Sequence, residues 1–256
     1  MDYNYHTHTM RCRHAKGTPE EYVLRAIEGG IKYMGFSDHA PYIFPDGYES
    51  GYRVKVSESK DYVDDILLLK EKYKEKIDIS VGFEMEYYPS HFEKMLKIAK
   101  EAGAEYLILG QHFIGQEHPG GTHTVDLMDD VNSLKEYVEN VVDAIKTGVF
   151  TYVAHPDIFN FTGSLEDYRN EMRKICVASK EYNVPLEINF LGIRDRRNYP
   201  FEEFWVIAGE EKAPVTFGFD AHDVQSAYDG VSIVEAERLV NTYKLNYIGK
   251  PKIIEI

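Results

Sequence analysis

The strongest constraint on the fold is a unit that recurs along the chain: an apolar segment, a polar residue at its end, a loop and a helical segment. The apolar segments that we interpret as strands cover residues 3–8, 31–37, 77–83, 106–109, 150–154, 184–188 and 215–219. The helical segments that alternate with them cover residues 19–28, 57–76, 89–102, 129–147, 165–182, 232–242 and a stretch from 200 onward. Such alternation is typical of a parallel sheet covered by helices. We therefore predict an α/β fold.

Two architectures fit this alternation, a closed barrel and an open doubly wound sheet, and both gather the carboxyl ends of their strands at one edge. No Gly-x-Gly-x-x-Gly motif follows the first predicted strand, and a length of 256 residues is common for one α/β barrel. No linker or composition shift marks a domain boundary. The barrel is favoured, as a single domain over residues 1–256, with the apolar tail 251–256 as an extra strand.

Capping and turn residues mark several connections. Thr18, Pro19 and Glu21 form a helix start, because threonine can cap, proline suits the first helical position and glutamate can complete a capping box. Residues 41–56 are rich in Pro, Gly and Tyr, and residues 115–124 are rich in Gly and His. Both stretches are predicted to be loops.

The charge balance bears on the substrate. The chain has 43 acidic and 29 basic residues, a formal net charge of −14. Such a chain repels nucleic acids and anionic membranes unless positive charge is concentrated locally, for example by bound divalent cations. A small anionic substrate held on metals is therefore expected, rather than nucleic acid or membrane.

Compartment signals point to the cytoplasm. No segment has the length of apolar residues that a membrane span needs, and no basic region followed by an apolar stretch opens the chain. Cys12 and Cys176 lie too far apart in sequence to suggest a disulfide framework. We expect reduced thiols in a cytoplasmic protein, with a metal role for Cys12 as the less favoured alternative.

Histidines and carboxylates follow nearly all of the predicted strands. His6 and His8 would share one face of the first strand, although such a pair alone could equally be a chance surface feature. The full set of candidate ligands is His6, His8, His14, His39, Glu84, His112, His155, Asp220 and His222. Nine nitrogen and oxygen donors exceed what one tetrahedral ion can use, so two or three ions are implied. The donor set suits Zn²⁺, Mn²⁺ or Fe²⁺ and argues against Ca²⁺.

The order of these motifs resembles that of the polymerase-and-histidinol-phosphatase (PHP) superfamily. The motifs are His-Thr-His at 6–8, Phe-Ser-Asp-His at 36–39, Gly-Phe-Glu at 82–84, His112, Ala-His-Pro-Asp at 154–157 and Asp-Ala-His at 220–222. The resemblance implies a distorted (β/α)7 TIM-like barrel with a trinuclear metal site. It also implies a ligand partition: His6, His8, Glu84 and Asp220 for the first ion; bridging Glu84 with His112 and His155 for the second; His14, His39 and His222 for the third.

Within this superfamily the chain is most similar to the histidinol-phosphate phosphatases. The residues that carry the similarity are 35–41, 186–189 and 192–194. Two features depart from that branch: residues 158–161 contain no basic side chain, and His112 follows Gln111 rather than a small or β-branched residue. Both departures concern the substrate more than the metals.

The predicted chemistry is hydrolysis by a hydroxide that bridges two cations. Arg194 is the favoured phosphate or transition-state clamp, with Arg197 in the same basic loop, since guanidinium binds phosphate bidentately. A solvated loop in which Asp195 pairs with its neighbours is the alternative. Asp38 and Asp157 are candidate proton donors, and each could instead orient a ligand histidine.

Several further residues are candidates for smaller roles. Asp223 and His118 are additional candidate proton donors. His118 and His123 could cover the substrate from the loop 115–124. Glu86 is expected to form a structural salt bridge, and His91 is expected on the surface.

These observations favour a metal-dependent phosphomonoesterase, with L-histidinol phosphate as the first candidate substrate. The alternatives are a PHP-type enzyme acting on a phosphodiester, a nucleotide or phosphotyrosine, and a non-enzymatic metal-binding module. A hydrolase barrel acting on amides or amines is less favoured, because it would have a carboxylated lysine or a different order of histidines and aspartates.

Overall fold

The structure is a computed structural model and describes residues 1–44 and 46–256. Its strands are β1 (Tyr3–Asn4), β2 (Tyr33–His39), β3 (Asp78–Met85), β4 (Tyr106–Leu109), β5 (Phe113–Ile114), β6 (Thr122–His123), β7 (Phe150–Val153), β8 (Leu186–Asn189), β9 (Pro214–Gly218) and β10 (Asn246–Tyr247). Its helices are α1 (Pro19–Glu28), α2 (Ser59–Tyr73), α3 (Phe92–Ala102), α4 (Val131–Lys146), α5 (Leu165–Tyr182), α6 (Phe190–Asp195), α7 (Glu202–Glu211) and α8 (Gly230–Tyr243).

The main sheet has eight strands in the order β1-β2-β3-β4-β7-β8-β9-β10, and all of its pairings are parallel. Beyond β1, Thr7 forms a parallel bridge with Ala221, the third residue after β9. Two backbone hydrogen bonds support this bridge, from His8 N to Ala221 O at 3.0 Å and from Ala221 N to His6 O at 3.3 Å. The first and seventh main strands thus meet, and the predicted distorted barrel is confirmed.

Helix α1 shows how local sequence sets an element boundary. The Thr18 hydroxyl accepts from Glu21 N, while the Glu21 carboxylate accepts from Thr18 N at 2.7 Å, which completes the predicted capping box. Its buried residues Tyr22, Val23 and Ala26 pack on the core. The predicted helix start is therefore confirmed.

Three connections differ from the sequence predictions. Residue Asn189 ends β8 and its side chain accepts from Gly192 N at 3.1 Å, which caps a short helix, α6. This helix includes Arg194 and Asp195, which are predicted to lie in a basic loop. The loop 115–124 is partly paired, because β5 and β6 form a small antiparallel hairpin. The extra strand is β10 rather than the tail 251–256, which makes a single antiparallel bridge from Glu255 to Tyr106.

The two ends of the barrel differ in what they contain, and we name them by the direction of the strands. The lower end, toward the amino ends of the strands, contains Tyr3 and Tyr106, which belong to a cluster that extends upward through Tyr5, Tyr152, Ile108 and Ala154. The upper end, at the carboxyl ends, contains the candidate ligands. No helix among the described residues combines the length and the apolar character needed to cross a membrane.

Candidate metal centre

His6 and His8 project into the upper end of the barrel from the segment after β1. Asn4 fixes this segment, because its side-chain oxygen accepts from His6 N at 3.1 Å and from Phe219 N at 3.0 Å. Both imidazoles are fully buried and their ring centres lie 5.2 Å apart. The predicted strand 3–8 is regular only over Tyr3 and Asn4, but the two histidines do face one interior.

Glu84, near the end of β3, lies at the centre of the cluster. Its carboxylate is within 4 Å of imidazole nitrogens from several elements: His6 Nε2 at 3.5 Å, His8 Nε2 at 3.5 Å, His39 Nδ1 at 3.1 Å, His112 Nε2 at 3.4 Å and His155 Nε2 at 2.8 Å. One carboxylate therefore contacts ligand candidates from most of the barrel.

Asp220 forms the second acidic point of the cluster. Its Oδ1 atom lies 3.2 Å from His8 Nε2, 3.6 Å from His6 Nε2 and 3.2 Å from His222 Nδ1. His222 in turn approaches His14, with 2.9 Å between their Nε2 atoms. The structure thus brings all nine predicted ligands together at the upper end.

Donor atoms that could share one ion fall into overlapping groups. Those formed by predicted ligands alone are His14/His39/His222, His6/His8/Glu84, His6/His155/Asp220 and His39/Glu84/His112, and a further group combines His8, Cys12 and His222. The first group matches the third ion of the resemblance. His6/His8/Glu84 agrees with the first ion, whereas His6/His155/Asp220 and His39/Glu84/His112 place His155 and His39 differently from the implied partition. The division among ions therefore stays a prediction.

Two of these ligand candidates have unusual backbone conformations. His155 has φ of +30° and Asp220 has φ of +47°, in or near the left-handed region that side chains other than glycine rarely adopt. Such conformations persist where the surrounding structure enforces them, and they cluster at functional sites. Here they turn the side chains that follow β7 and β9 into the cluster.

Two glycines leave space for the central carboxylates. A Cβ on Gly110 would lie 2.0 Å from Glu84 Oε1, and a Cβ on Gly218 would lie 1.7 Å from Glu187 Oε1. Any side chain at either position would displace a carboxylate of the site. The lack of a side chain at these two glycines therefore allows the Glu84 and Glu187 carboxylates to occupy their positions.

Many buried polar atoms of the cluster make no hydrogen bond of normal geometry to any described residue, although several lie 3.1–3.6 Å from one another. They are His6 Nε2, His8 Nδ1, His8 Nε2, Asp38 Oδ1, His39 Nδ1, Glu84 Oε2, His155 Nδ1 and Asp220 Oδ1. Leaving buried polar atoms unpaired is costly, and natural proteins rarely do so without a reason. Imidazole nitrogens and carboxylate oxygens at this spacing suit divalent cations, so the donor set fits the predicted metals.

The electrostatics of the cluster favour positive charge at its centre. Burial lowers the pKa of His6, but neighbouring carboxylates, chiefly Glu187, outweigh this effect and raise that pKa to about 10. Burial would raise the pKa of the Glu84 carboxyl, yet the surrounding imidazoles, His112 foremost, hold it well below its usual range. Cations, whether protons or metal ions, are thus stabilised there.

Glu187 belongs to the site, but it does not stand out in the sequence as a functional residue. It sits in β8 with no exposed surface, and its Oε1 lies 2.8 Å from His6 Nδ1. Its Oε2 accepts from His155 N at 3.0 Å and from the Asn189 side chain at 2.8 Å. A carboxylate that holds the far nitrogen of a ligand histidine fixes its orientation. The signal in the sequence is a single acid inside the apolar segment 184–188.

The predicted proton donors Asp38 and Asp157 lie beside the cleft rather than in its lining. Asp38 accepts from Thr9 N at 3.2 Å and from the Thr9 hydroxyl, and its Oδ1 is 3.5 Å from His8 Nδ1. Asp157 accepts from Phe201 N at 2.6 Å and Trp205 Nε1 at 2.9 Å, next to the start of α7. These contacts suit side chains that orient neighbouring groups: Asp38 contacts the ligand candidate His8, and Asp157 contacts the residues at the start of α7.

A cleft of about 580 Å³ opens above the cluster. Besides ligand candidates, its lining includes Tyr52, His123, Val125, Ile158, Leu191, Arg194, Asp195, Arg197, Tyr199 and Asp223. The lining thus combines cations, acids and apolar side chains beside the cluster, which suits a small anionic molecule.

The two predicted phosphate-binding arginines differ in their partners. Arg194 donates to Phe219 O at 3.0 Å, Asp220 O at 3.1 Å and Asp229 Oδ2 at 3.2 Å, so it braces the turn that carries Asp220. Arg197 is more exposed and makes longer contacts, 3.3 Å to the Tyr199 hydroxyl and 3.4 Å to Asp195. Of the two, Arg197 has the guanidinium with more capacity for a ligand.

His118 lies outside the cleft lining. Its ring stacks on Tyr48 with centres 4.1 Å apart, and its Nε2 is 2.8 Å from Asp46 Oδ2. It joins the loop 115–124 to the loop that follows β2. A direct substrate contact by His118 stays a prediction that this placement does not favour.

Comparisons with known proteins agree with the architecture and the motif order. A family model described as the PHP domain matches residues 4–190. The chain is 26% identical over 223 residues to a Deinococcus radiodurans protein named probable histidinol-phosphatase, and the match covers 85% of each chain. It is 25% identical over 261 residues to the histidinol-phosphatase of Bacillus subtilis, covering 88% of this chain and 96% of that protein.

A solved structure provides a comparison of the fold. The histidinol phosphate phosphatase of Lactococcus lactis subsp. lactis, complexed with Zn, L-histidinol and phosphate, has a TM-score of 0.73 and 20% identity. The match covers 96% of this chain and 95% of that one. Together these comparisons confirm the predicted resemblance to the histidinol-phosphatase-like members of the PHP superfamily.

Proposed function

This chain belongs to the PHP domain family, and we propose that it is a metal-dependent phosphatase that hydrolyses L-histidinol phosphate to L-histidinol and phosphate in histidine biosynthesis. The observation that carries the proposal is the convergence of nine nitrogen and oxygen donors at the upper end, with many of their buried atoms unpartnered. Relatives named for this activity span most of the chain and support the choice of hydrolase.

The cluster would hold two or three divalent cations. The partition we propose assigns His6, His8, Glu84 and Asp220 to the first, Glu84, His112 and His155 to the second, and His14, His39 and His222 to the third. Zn²⁺, Mn²⁺ and Fe²⁺ suit these donors, and zinc is the ion named with the Lactococcus lactis structure. When bound, such ions would supply the Lewis acidity that activates a water molecule as the nucleophile, and they would offset the phosphate charge.

The residues around the cleft would bind and orient the substrate. Arg197 would bind phosphate oxygens, since its guanidinium lines the cleft and its hydrogen bonds to Tyr199 and Asp195 are long. Arg194 would act by keeping Asp220 in place through its bonds to the backbone. The apolar side chains Val125, Ile158 and Leu191 would face the non-phosphate part of the substrate.

Departure of the alkoxide requires a proton. Asp223 lines the cleft, whereas Asp38, Asp157 and His118 are not part of its lining. Hydrogen bonds from Ser226 N at 3.0 Å and the Ser226 hydroxyl at 2.9 Å hold the Asp223 carboxylate in place. We therefore place Asp223 ahead of the other candidates as the proton donor.

The experiment that tests this function is a panel of phosphate esters given to protein loaded in turn with Zn²⁺, Mn²⁺ and Fe²⁺. We expect L-histidinol phosphate to have the highest kcat/KM, p-nitrophenyl phosphate and phosphotyrosine to follow, and bis(p-nitrophenyl) phosphate to be slowest. Equal rates on monoesters and diesters would contradict the phosphomonoesterase. Bound metal without hydrolysis of any ester would favour a binding module.

One observation favours a substrate other than L-histidinol phosphate. Segment 158–161 has no basic side chain; Ile158 lines the cleft and the Asn160 amide donates to Val125 O at 3.0 Å. Segment 158–161 therefore offers no basic side chain that could bind the phosphate. A different small phosphomonoester in first place on the panel would identify this second substrate. A nucleotide or a phosphodiester in first place would show that the chain is a PHP enzyme of another substrate class.

A further inference from the structure

Arg53 is a buried arginine in the long loop between β2 and α2, and neither the cluster nor the cleft lining includes it. Only 2% of its surface is exposed. Its Nη1 and Nη2 donate to the two oxygens of Glu86, each at 2.6 Å, and its Nε donates to Glu117 at 2.6 Å. A guanidinium that is completely buried and pairs with two acids needs an explanation, because burying charge is costly.

Glu86 links this arginine to the cluster. Its Oε1, which accepts from Arg53 Nη2, also lies 2.9 Å from His112 Nδ1. Glu86 therefore sets the orientation of the imidazole and keeps the proton on Nδ1, so that Nε2 faces Glu84 with its lone pair, at 3.4 Å from Oε1. Among the described residues, Arg53 is the only arginine or lysine paired with this buried carboxylate.

The same guanidinium also fixes part of the cleft wall. Arg53 Nη2 donates to the Tyr52 hydroxyl at 2.7 Å, and that hydroxyl donates to Glu86 Oε1 at 3.2 Å. The Tyr52 ring lines the cleft and meets the His39 ring edge-on, with centres 5.1 Å apart. Through Glu117, Arg53 holds the loop 115–121 as well. One residue thus joins two loops to two ligand candidates.

We propose that Arg53 is a positioning residue of the metal centre, which holds Glu86 and, through Glu86, the His112 imidazole in the orientation that binds a cation. The inference rests on the proposed function, because it requires that the cluster binds metal. Lysine cannot replace Arg53 in this role, since an ammonium cannot donate two parallel bonds to Glu86 and a third to Glu117.

The test measures metal affinity of metal-free protein by competition with a chromophoric chelator, using Zn²⁺ as the probe. We expect Arg53→Lys to weaken one of the bound ions about 10- to 100-fold and to leave the others within about twofold. In a His112→Gln background, the added Arg53→Lys change should have no further effect. The matched control is Arg173→Lys, which changes an arginine of the α5–α7 ion pairs far from the cluster.

Each outcome decides the proposal. Unchanged affinity in Arg53→Lys would overturn it, and so would a loss that is equally large with and without His112. If Arg53→Lys does not fold, Glu86→Gln carries the same test, because it leaves Arg53 paired with Glu117 while weakening the acceptor for His112. A wild-type protein that takes up no stoichiometric cation would refute the proposed function instead.

Discussion

The two ends of the barrel treat buried polar groups in opposite ways. At the lower end, the Tyr106 hydroxyl donates to Tyr5 O at 2.8 Å and Phe36 O at 3.2 Å, and the Tyr3 hydroxyl bonds to Thr216 at 3.0 Å. At the upper end, atoms such as His6 Nε2, Glu84 Oε2 and Asp220 Oδ1 are equally buried but make no hydrogen bond of normal geometry to any described residue.

This contrast separates stability from function. In the lower cluster, the hydroxyls of Tyr3 and Tyr106 are hydrogen-bonded within the protein, whereas the buried Tyr152 hydroxyl has no partner among the described residues. The upper end combines unpartnered donors, strained backbone at His155 and Asp220, and an open cleft. Changes at the upper end should therefore affect metal binding and catalysis, whereas changes at the lower end should affect folding.

The largest effect is expected for Glu84→Gln. Glutamine lacks the negative charge that attracts cations and that Glu84 presents to five imidazoles, so kcat/KM should fall on the order of 10³-fold. The matched change at the lower end is Tyr106→Phe, which should cost about 1–2 kcal/mol of unfolding free energy and leave kcat/KM unchanged. Steady-state kinetics and urea unfolding measure the pair, and a similar loss of activity in both variants would remove the contrast.

A smaller effect is expected for Gly110→Ala. The added methyl group would overlap the Glu84 carboxylate and displace it, which should weaken metal binding up to about 100-fold. Gly51→Ala is the control, because a Cβ there meets no atom within 4 Å. Calorimetric titration with Zn²⁺ compares the two variants, and equal affinities would show that the space left by Gly110 has no role.

Glu187→Gln should have an effect of about tenfold on metal affinity. Glutamine keeps the shape of the side chain but removes the charge that holds the proton on His6 Nδ1, so His6 would be less firmly oriented. The same titration measures this change. An affinity equal to that of the wild type would mean that Glu187 belongs with the structural polar groups of the lower end.

The smallest effect concerns Asp157, an upper-end residue whose Oδ2 atom is satisfied by the protein. Burial raises the pKa of its carboxyl to about 7. Its unfolded value is about 3.9, so its stabilising contribution is present at low pH and is lost as the pH rises through 7. Asparagine can accept the same two bonds and cannot ionise. Asp157→Asn should therefore match the wild-type Tm near pH ~4 and exceed it by about 10 °C near pH ~8. Parallel melting curves at both pH values would show this difference.

The fold, and the convergence of the candidate ligands at one end of it, could be predicted from the sequence for a simple physical reason. Residues such as Glu84 and His155 stand where an apolar strand ends, and parallel strands bring their carboxyl ends together. The order of the strands and helices along the chain is enough to predict this placement. The capping residues Thr18 and Glu21 likewise predict where α1 begins.

Features that depend on three-dimensional neighbours were less accessible. The burial of Arg53 follows from partners 33 and 64 positions away in the chain, which no local pattern reveals. The hydrogen bonds from Arg194 to the backbone turn that carries Asp220 likewise cannot be predicted from the basic segment 194–197 alone. Helix α6 was missed although Asn189, a good capping residue, stood at its start.

The most direct test of the metal centre is anomalous diffraction from crystals grown with Zn²⁺. We predict two or three peaks in the upper end between Glu84 and Asp220, about 2.0–2.3 Å from the imidazole nitrogens and carboxylate oxygens. No peak there, or peaks only at surface sites, would contradict the claim that this end of the barrel is a metal centre.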